Sequence, residues 1–599
     1  MLKRCLLLLG IRDRKLLLLI IFAQTLLNFL DLFGVLLVGL LSSTIIQAST
    51  TQTSTSTITI LNKLGLSSLD LKTQSIYLAT MAIVLLVGKT ILSIFLTRKV
   101  IFFLSRRGSI ISASLVSKLV GQSLSVIQKH TSQEIIFSVT TGIDVIMLKI
   151  LATAVTIFSD ITLLIIMITG LVFLDPLVAI STIALYFLIG FLLYHFMSVR
   201  ASFLGQASSE FEIQSNEKIY EVLSSYRELV VRNRRRFYSS EIGALRMKLA
   251  DVAAEVNFQP FISKYVIEVA VIIGAVLLAG TQFLLFDVAQ AVSTLSVFLV
   301  AGTRIAPAVL RIQQGTLLIK GSTGRALPSF KLIDELWATP DPGPENDKIN
   351  FDHSDFSPVF GLKNVTFTYP GALRPALDSV SLSGSAGELI AIVGGTGAGK
   401  TTLVDVLLGL FEPEKGEITI SGVPPLLAFE KWPGAVAYVP QETEVSNGTI
   451  GQNVSLGFPL ESDLEKRINV AIDAAQLTDF VASLPDGLNA RIGERGGYLS
   501  GDQRQRLGIA RAMFTFPKLL ILDEATSSLD VETELAISNA IQQLRGSMTI
   551  VMIAHRLSTV RNADVVVYLN KGKIEAVGSF TEVRKLIPNF NEQAKLMGL

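Results

Sequence analysis

Two stretches of this 599-residue chain carry side chains whose type and spacing suit phosphate chemistry. Residues Gly394, Gly395, Thr396, Gly397, Ala398, Gly399, Lys400, Thr401 and Thr402 fit G-x-x-x-x-G-K-[ST] at every fixed position. Glycines let consecutive backbone N–H groups turn inward on phosphate oxygens, Lys400 reaches the terminal phosphates, and the Thr401 hydroxyl suits Mg²⁺. Further along, the apolar run 519–522 ends in Asp523 and Glu524. Asp523 is placed to hold Mg²⁺, directly or through water, and Glu524 to orient or deprotonate an attacking water. Either signal alone also occurs in a plain strand–helix turn or in an acid-tipped strand. Together they imply a nucleoside triphosphate that is hydrolysed.

These residues need rigid neighbours. The loop lies between the apolar run 389–393, a buried strand, and 403–408, a helix whose N-terminus adds a favourable dipole toward phosphate. From about Val359 strand and helix patterns alternate, so 359–599 is expected to be an α/β domain. Before it, the acidic, proline-rich stretch 339–347 marks an exposed linker spanning 336–358.

The preceding residues 1–335 are different in kind. A mean hydropathy of +0.53 with 17% charged residues is too apolar for an ordinary soluble enzyme of this length. Six runs are long enough to span a bilayer as helices: 16–46, 76–96, 143–174, 177–197, 261–286 and 289–310. Lys and Arg crowd the N-terminus, 98–107 and 227–236, whereas the turns at Asp175-Pro176 and Phe286-Asp287 carry none. The positive-inside rule therefore predicts both termini in the cytoplasm. The basic start is expected to be a retained segment lying on the membrane, since charges at 12–15 interrupt its short apolar stretch. The charged, apolar-periodic connections 99–136 and 200–257 are expected to continue the helices into the cytoplasm, where coupling elements would lie. After the first run, 49–56 reads as a polar turn and 58–71 as either a short amphipathic surface helix or an ordinary loop. The single cysteine, Cys5, excludes an internal disulfide, four histidines make a structural zinc site unexpected, and a net charge of +2 does not point to nucleic acid.

Lys89, Lys149, Lys264, Arg304 and Arg311 lie in or near the apolar runs, where a charge costs several kcal/mol unless it meets protein or water. Snorkelling to a span end, or pairing with Asp144, Asp160 or Glu268, would account for each without function. Facing one cavity, they would receive an anionic cargo.

Between the loop and the acid pair lies Leu499-Ser500-Gly501-Asp502-Gln503-Arg504-Gln505-Arg506. Taken in order with Gln441, Asp523-Glu524, Ser527-Ser528-Leu529-Asp530 and His555, it resembles the nucleotide-binding domain of ATP-binding cassette (ABC) transporters. Six runs before one such domain are similar to the half-size exporters of the type IV fold. The fold class implied is an all-α six-helix transmembrane domain followed by an α/β P-loop ATPase domain. The resemblance implies ATP with Mg²⁺, Tyr369 stacking on adenine, Gln441 contacting Mg²⁺ and water, and His555 holding the γ-phosphate. It implies also that Ser500, Gly501 and Gln503 act on the nucleotide of a second subunit, that Glu494-Arg495-Gly496 meets coupling helices, and that Asp530 links the two sites. Asp502 stands where the family has a second glycine. A homodimer would have to tolerate it twice; in a heterodimer it would weaken one site. The homodimer is the expectation.

The membrane half resembles flippases for lipid-linked oligosaccharides of bacterial glycosylation, on the basic Met1-Leu2-Lys3-Arg4 start leading to Asp31, the stretch after the first run, and Arg304-x-x-Pro307-x-x-x-Arg311. That resemblance implies that Lys89, Lys264, Arg304 and Arg311 face the cavity and receive a pyrophosphate, in the cytoplasmic membrane. Peptide, drug or plain lipid is the alternative cargo.

Overall fold

The computed structural model describes residues 1–47, 70–174, 176–285, 288–337, 353–458, 462–493, 496–525, 544–554 and 560–596, with isolated positions 537, 539 and 542. The chain divides into two compact units, one of residues 1–122 and 128–342, the other of 123–127 and 343–599.

The first unit is helical because apolar side chains recur around whole turns in runs too long for strands. Its long helices are α1 (Ile11–Gln47), α2 (Leu71–Val120), α3 (Ala152–Leu174), α4 (Pro176–Ser224), α5 (Arg235–Leu285) and α6 (Val288–Arg325). Among the described residues five helical segments are long and apolar enough to cross a membrane: 11–38, 72–120, 132–172, 183–224 and 235–281. The sixth expected run, 289–310, falls in α6, whose side chains before residue 302 are outside those described. The helices continue well beyond bilayer length, α2 and α4 to 50 and 49 residues. The stretches 49–56 and 58–69 and the expected turn residues Asp175, Phe286 and Asp287 lie outside the described residues.

Packing centres on α3–α6, where Leu163, Met167, Tyr186, Met197, Ile267, Ile305 and Leu317 form one buried cluster. Two glycines let α4 and α6 approach backbone to backbone: a Cβ on Gly205 would sit 1.9 Å from the Gly321 carbonyl oxygen. Asn28 of α1 ties to α3 by donating to the Ser159 carbonyl (2.8 Å) and to Thr162 Oγ1 (2.9 Å). The basic N-terminus forms a short helix, Leu2–Leu7, docked on protein. Arg4 pairs with Asp334 and lies 5.0 Å over the Phe330 ring, and Cys5 is fully buried.

The second unit carries two sheets. β1 (Phe360–Phe367), β2 (Leu377–Gly384) and β4 (Lys415–Ile420) form an antiparallel sheet in the order β2-β1-β4. β3 (Leu389–Val393), β5 (Val436–Val439), β6 (Leu519–Asp523), β7 (Thr549–Ile553), β8 (Val565–Asn570) and β9 (Lys573–Gly578) form the other, in the order β5-β6-β7-β3-β8-β9. All pairs in it are parallel except β8–β9. Every residue of β3, β6 and β7 is buried, as unbroken apolar runs covered on both faces require. On β3, Leu389, Ala391 and Val393 enter one core and Ile390 and Ile392 the other. Of the expected linker, 338–352 lies outside the described residues. The short segment Leu124–Ile127 belongs to the second unit, where the Leu124 N–H donates to the Leu410 carbonyl at 3.3 Å.

Candidate functional site

Register builds the site. Ile392 pairs with Ile553, and Ile553 with Asp523, so β3, β7 and β6 end level with one another and their following loops share one sheet edge. After β3 the loop 394–399 turns into α7 (Lys400–Leu407). Gly399, at φ +101°, is in the left-handed region, and a Cβ there would lie 2.7 Å from the Ala376 carbonyl oxygen, so only glycine brings the chain round. Lys400, 7% exposed, folds over the loop and donates from Nζ to the carbonyls of Gly394 (3.0 Å) and Gly395 (3.2 Å). The ammonium is thus held at the mouth of the loop.

Asp523, 2% exposed, closes β6 and bonds the Thr401 side chain. Its Oδ1 is buried with no hydrogen-bond partner among the described residues. A buried carboxylate oxygen without a donor beside a threonine hydroxyl is an oxygen set fit for a hard cation such as Mg²⁺. Burial first, and then the adjacent Glu524 charge, hold the Asp523 carboxyl above the ordinary carboxylate range, against the lowering pull of Thr401, Tyr438 and Lys400. Glu524 has φ +49°, uncommon for a residue with a side chain, and its backbone is held by N–H donation to the Ile553 carbonyl (3.2 Å) and by Gln505 Nε2 on its own carbonyl (3.3 Å). Gln441 Nε2 donates to Glu524 Oε2 at 2.8 Å, which leaves the Gln441 carboxamide oxygen for a cation or water. Tyr369, 36% exposed, places its hydroxyl 3.0 Å from Thr402 Oγ1 and its ring edge-on to Phe367 and Phe411.

Two neighbours escape a motif search. Asp405 lies one helical turn after Thr401, on the same face of α7, and burial followed by the Asp523 charge raises its pKa to about 6. Tyr438, on β5 beside β6, bonds Asp523, and its hydroxyl is pushed up by burial first and then by that acid. The i, i+4 spacing of Thr401 and Asp405 was the available signal for the first; for the second only sheet order supplies one.

Ser500 caps α8 (Gly501–Met513). Ser500 Oγ accepts from the Gln503 N–H at 3.1 Å, and Gln503 Oε1 accepts from the Ser500 N–H at 2.9 Å. Asp502 is in the first turn, and its carboxylate pairs with Arg506 four residues on. Its charge is therefore compensated within the helix. His555, Glu494, Arg495 and 527–530 lie outside the described residues.

In the helical unit the expected cations separate. Lys89 Nζ is 2.5 Å and Arg304 Nη1 3.9 Å from the carboxylate of Asp31, which is 1% exposed. Arg311 grips Asp160 with Nε and Nη2, at 2.5–3.1 Å. Lys264 is exposed and 3.8 Å from Glu268. Four cations against three carboxylates leave one net positive charge. Beside them, an apolar groove of about 420 Å³ is lined by Tyr186, Phe187, Phe191, Ile305 and Val309 of α4 and α6.

With this geometry in place, residues 377–527 match the ABC transporter family. The chain is similar to the ATP-dependent lipid A-core flippase of Ralstonia nicotianae (44% identical over 224 residues, 37% of this chain and 38% of that protein) and that of Dechloromonas aromatica (36% over 353 residues, 58% of each). It is also similar to the β-(1→2)glucan export ATP-binding/permease protein of Agrobacterium fabrum (39% over 247 residues, 41% of this chain and 42% of that protein). The chain thus spans 38% to 58% of the length of these curated relatives. A solved bacterial Atm1-family ABC exporter with ATP bound superposes with a TM-score of 0.76 over 98% of both chains at 19% identity, a likeness of fold. Residues 377–527 are an ABC transporter ATPase domain, and the chain that carries them has the fold of a half-size ABC exporter.

Proposed function

We propose that this chain is one half of an ATP-driven exporter that flips an anionic amphiphile across the cytoplasmic membrane, the cargo being a lipid-linked oligosaccharide of the polyprenyl-pyrophosphate type. The observation that carries this reading is that one chain holds both Lys400, Asp523 and Glu524 on a shared sheet edge and cations set among long apolar helices. ATP bound by the Lys400 loop and stacked on Tyr369 meets Ser500, Gly501 and Gln503 of a second subunit, which draws two ATPase domains together and opens the membrane cavity outward. Glu524, oriented by Gln441, activates the attacking water, and His555 steadies the γ-phosphate; hydrolysis resets the cavity. Mg²⁺, held by Thr401, Asp523 and Gln441, would neutralise phosphate charge. The Lys and Arg distribution supports cytoplasmic termini and a cytoplasmic ATPase domain. On this reading Lys89, Lys264, Arg304 and Arg311 face the transport cavity, and the aromatic groove suits the lipid chain.

The relatives named lipid A-core flippases favour, as a second reading, another phosphorylated glycolipid over a peptide or drug. Purified protein in proteoliposomes separates these cargoes. Polyprenyl-pyrophosphate oligosaccharide should stimulate ATPase and move across the bilayer, and neutral amphiphiles should not. Glu524→Gln should lower turnover by about 10²–10⁴-fold, the range for losing a general base. Normal turnover in that variant would remove the assignment.

A further inference from the structure

Imidazole is the side chain whose ordinary range lies nearest neutral pH, so a histidine set between two carboxylates is a proton-dependent joint. His130 is such a residue. Its Nδ1 lies 3.2 Å from Glu134 Oε2 and its Nε2 2.8 Å from Glu335 Oε2, and its side chain is 15% exposed. A neutral imidazole has one N–H donor and one acceptor, whereas the imidazolium has two donors. Two ionised carboxylates, one at each ring nitrogen, are therefore satisfied together by the cation alone. The proton affinity agrees. Burial pulls the His130 pKa down, and the bonds to Glu335 and Glu134, with their charges, more than restore it, so it stands above its ordinary 6.5.

The place of this joint in the chain gives it leverage. The chain passes between the helical and ATPase units at 122–123, 127–128 and 342–343. His130 follows closely on the second crossing, and Glu335 lies near the end of the helix Leu327–Leu336, which leads toward the third. Their bond, made within the helical unit, thus ties together two stretches by which the chain leaves for the ATPase unit. The surrounding elements bring other charges. Lys129 Nζ is 3.8 Å from Glu335 Oε1, Arg4 of the N-terminal helix holds Asp334, Lys118 of α2 lies 5.8 Å over the Trp337 ring, and Arg325 of α6 holds Glu212 of α4. Lys331, Asp144 and Glu210 are exposed.

We propose that His130 is a proton-dependent clasp that regulates the ATP-driven cycle: as imidazolium it binds Glu134 and Glu335 at once and fixes the helix Leu327–Leu336, and on losing its proton it releases one of them. A histidine whose folded pKa is raised stabilises fully below its ordinary value of 6.5, and that contribution disappears as pH rises through the folded value. The clasp is therefore closed below about pH 6.5 and opens above it. Lys129 keeps some hold on Glu335 in the open state, so the helix loosens without detaching. A loosened helix yields where a fixed one transmits movement between the units, and turnover falls. The clasp acts on the exporter whatever its cargo.

The test uses the full chain in detergent without nucleotide. Hydrogen–deuterium exchange over 327–336, corrected for the intrinsic pH dependence of exchange, should be about ten-fold faster at about pH 8.5 than at about pH 6, the scale of one charge-assisted hydrogen bond. His130→Gln, which never carries the charge, should exchange at the fast rate at both values, and His130→Lys, whose ammonium has three donors, at the slow rate at both. The same pH response in His130→Gln, or no response in the unaltered protein, would overturn the clasp. Should those variants not fold, NMR of labelled histidine in the unaltered protein decides among its four histidines. One must titrate above pH 6.5 and move down in Glu335→Gln, and the absence of such a histidine overturns the proposal. For regulation, ATPase of the unaltered protein relative to His130→Lys should be equal at about pH 6 and at least two-fold lower at about pH 8.5. A ratio that does not change with pH would overturn the regulatory role. Neither nucleotide nor cargo enters the exchange measurement, so its failure removes the clasp and leaves the exporter reading standing.

Discussion

Two acidic side chains carry consequences that can be measured. Asp405 is ionised at neutral pH at a cost, because its folded pKa of about 6 lies above its ordinary value of 3.8. A raised carboxylate pKa means that the fold disfavours the charged form. The penalty is complete above about pH 6 and disappears as pH falls toward 4. Asp405→Asn should therefore raise the unfolding temperature of the full chain in EDTA at pH 8, by the equivalent of about 2 kcal/mol, and do little at pH 4. A gain that is constant with pH would remove burial of charge as the cause. Asp502 is the other. With its carboxylate on Arg506, Asp502→Gly should change ATPase less than about two-fold and cost roughly 0.5–1 kcal/mol of stability from the lost pair and helix-terminal charge. Arg506→Gln, which exposes the carboxylate, should lower ATPase more than the glycine does. A large rise in turnover for Asp502→Gly would mean that the acid repels nucleotide.

At the scale of elements, the helical unit depends on close backbone contact and the ATPase unit on strand register. A methyl group on Gly205 collides with the Gly321 carbonyl and must push α4 and α6 apart. Gly205→Ala should cost about 1–3 kcal/mol, as overpacked cores do. At Gly243, on α5, an added methyl group would meet nothing within 4 Å, and there alanine should stabilise by up to about 1 kcal/mol through helix propensity. Opposite shifts in thermal unfolding check the pair, and shifts of one sign would show that propensity, not contact, governs both. The same register argument explains why Asp523, Ile553 and Ile392 end level: a one-residue slip of β6 would turn Asp523 away from Thr401.

For the whole molecule, the question is what completes the site. Within the chain Ser500 and Gln503 bond each other and cap the N-terminus of α8, and on the proposed reading that terminus meets the nucleotide of a second subunit. Purified alone, the chain should run as a dimer and hydrolyse ATP, and mixing it with a Glu524→Gln copy should suppress turnover more than dilution does. A chain that is inactive until a different half-transporter is added would favour the heterodimer. Mass measurement together with ATPase assay decides between them.

The phosphate loop, the acid pair and the change from apolar to strand–helix patterning were legible in the sequence because each is local. Glycines at fixed spacing shape one turn, an apolar run ending in acids shapes one strand end, and lipid leaves long apolar runs little choice but helix. The pairing of Arg311 with Asp160 and of Lys264 with Glu268 was among the readings open from the sequence. What only the tertiary structure decided is where charge meets charge across helices and strands. Asp31 on α1 collects Lys89 of α2 and Arg304 of α6, Tyr438 of β5 reaches Asp523 of β6, and Lys149 emerges from a π-helical turn without a carboxylate partner among the described residues. Those outcomes depend on helix phase and sheet order, which join residues tens or hundreds of positions apart and leave no mark in local spacing.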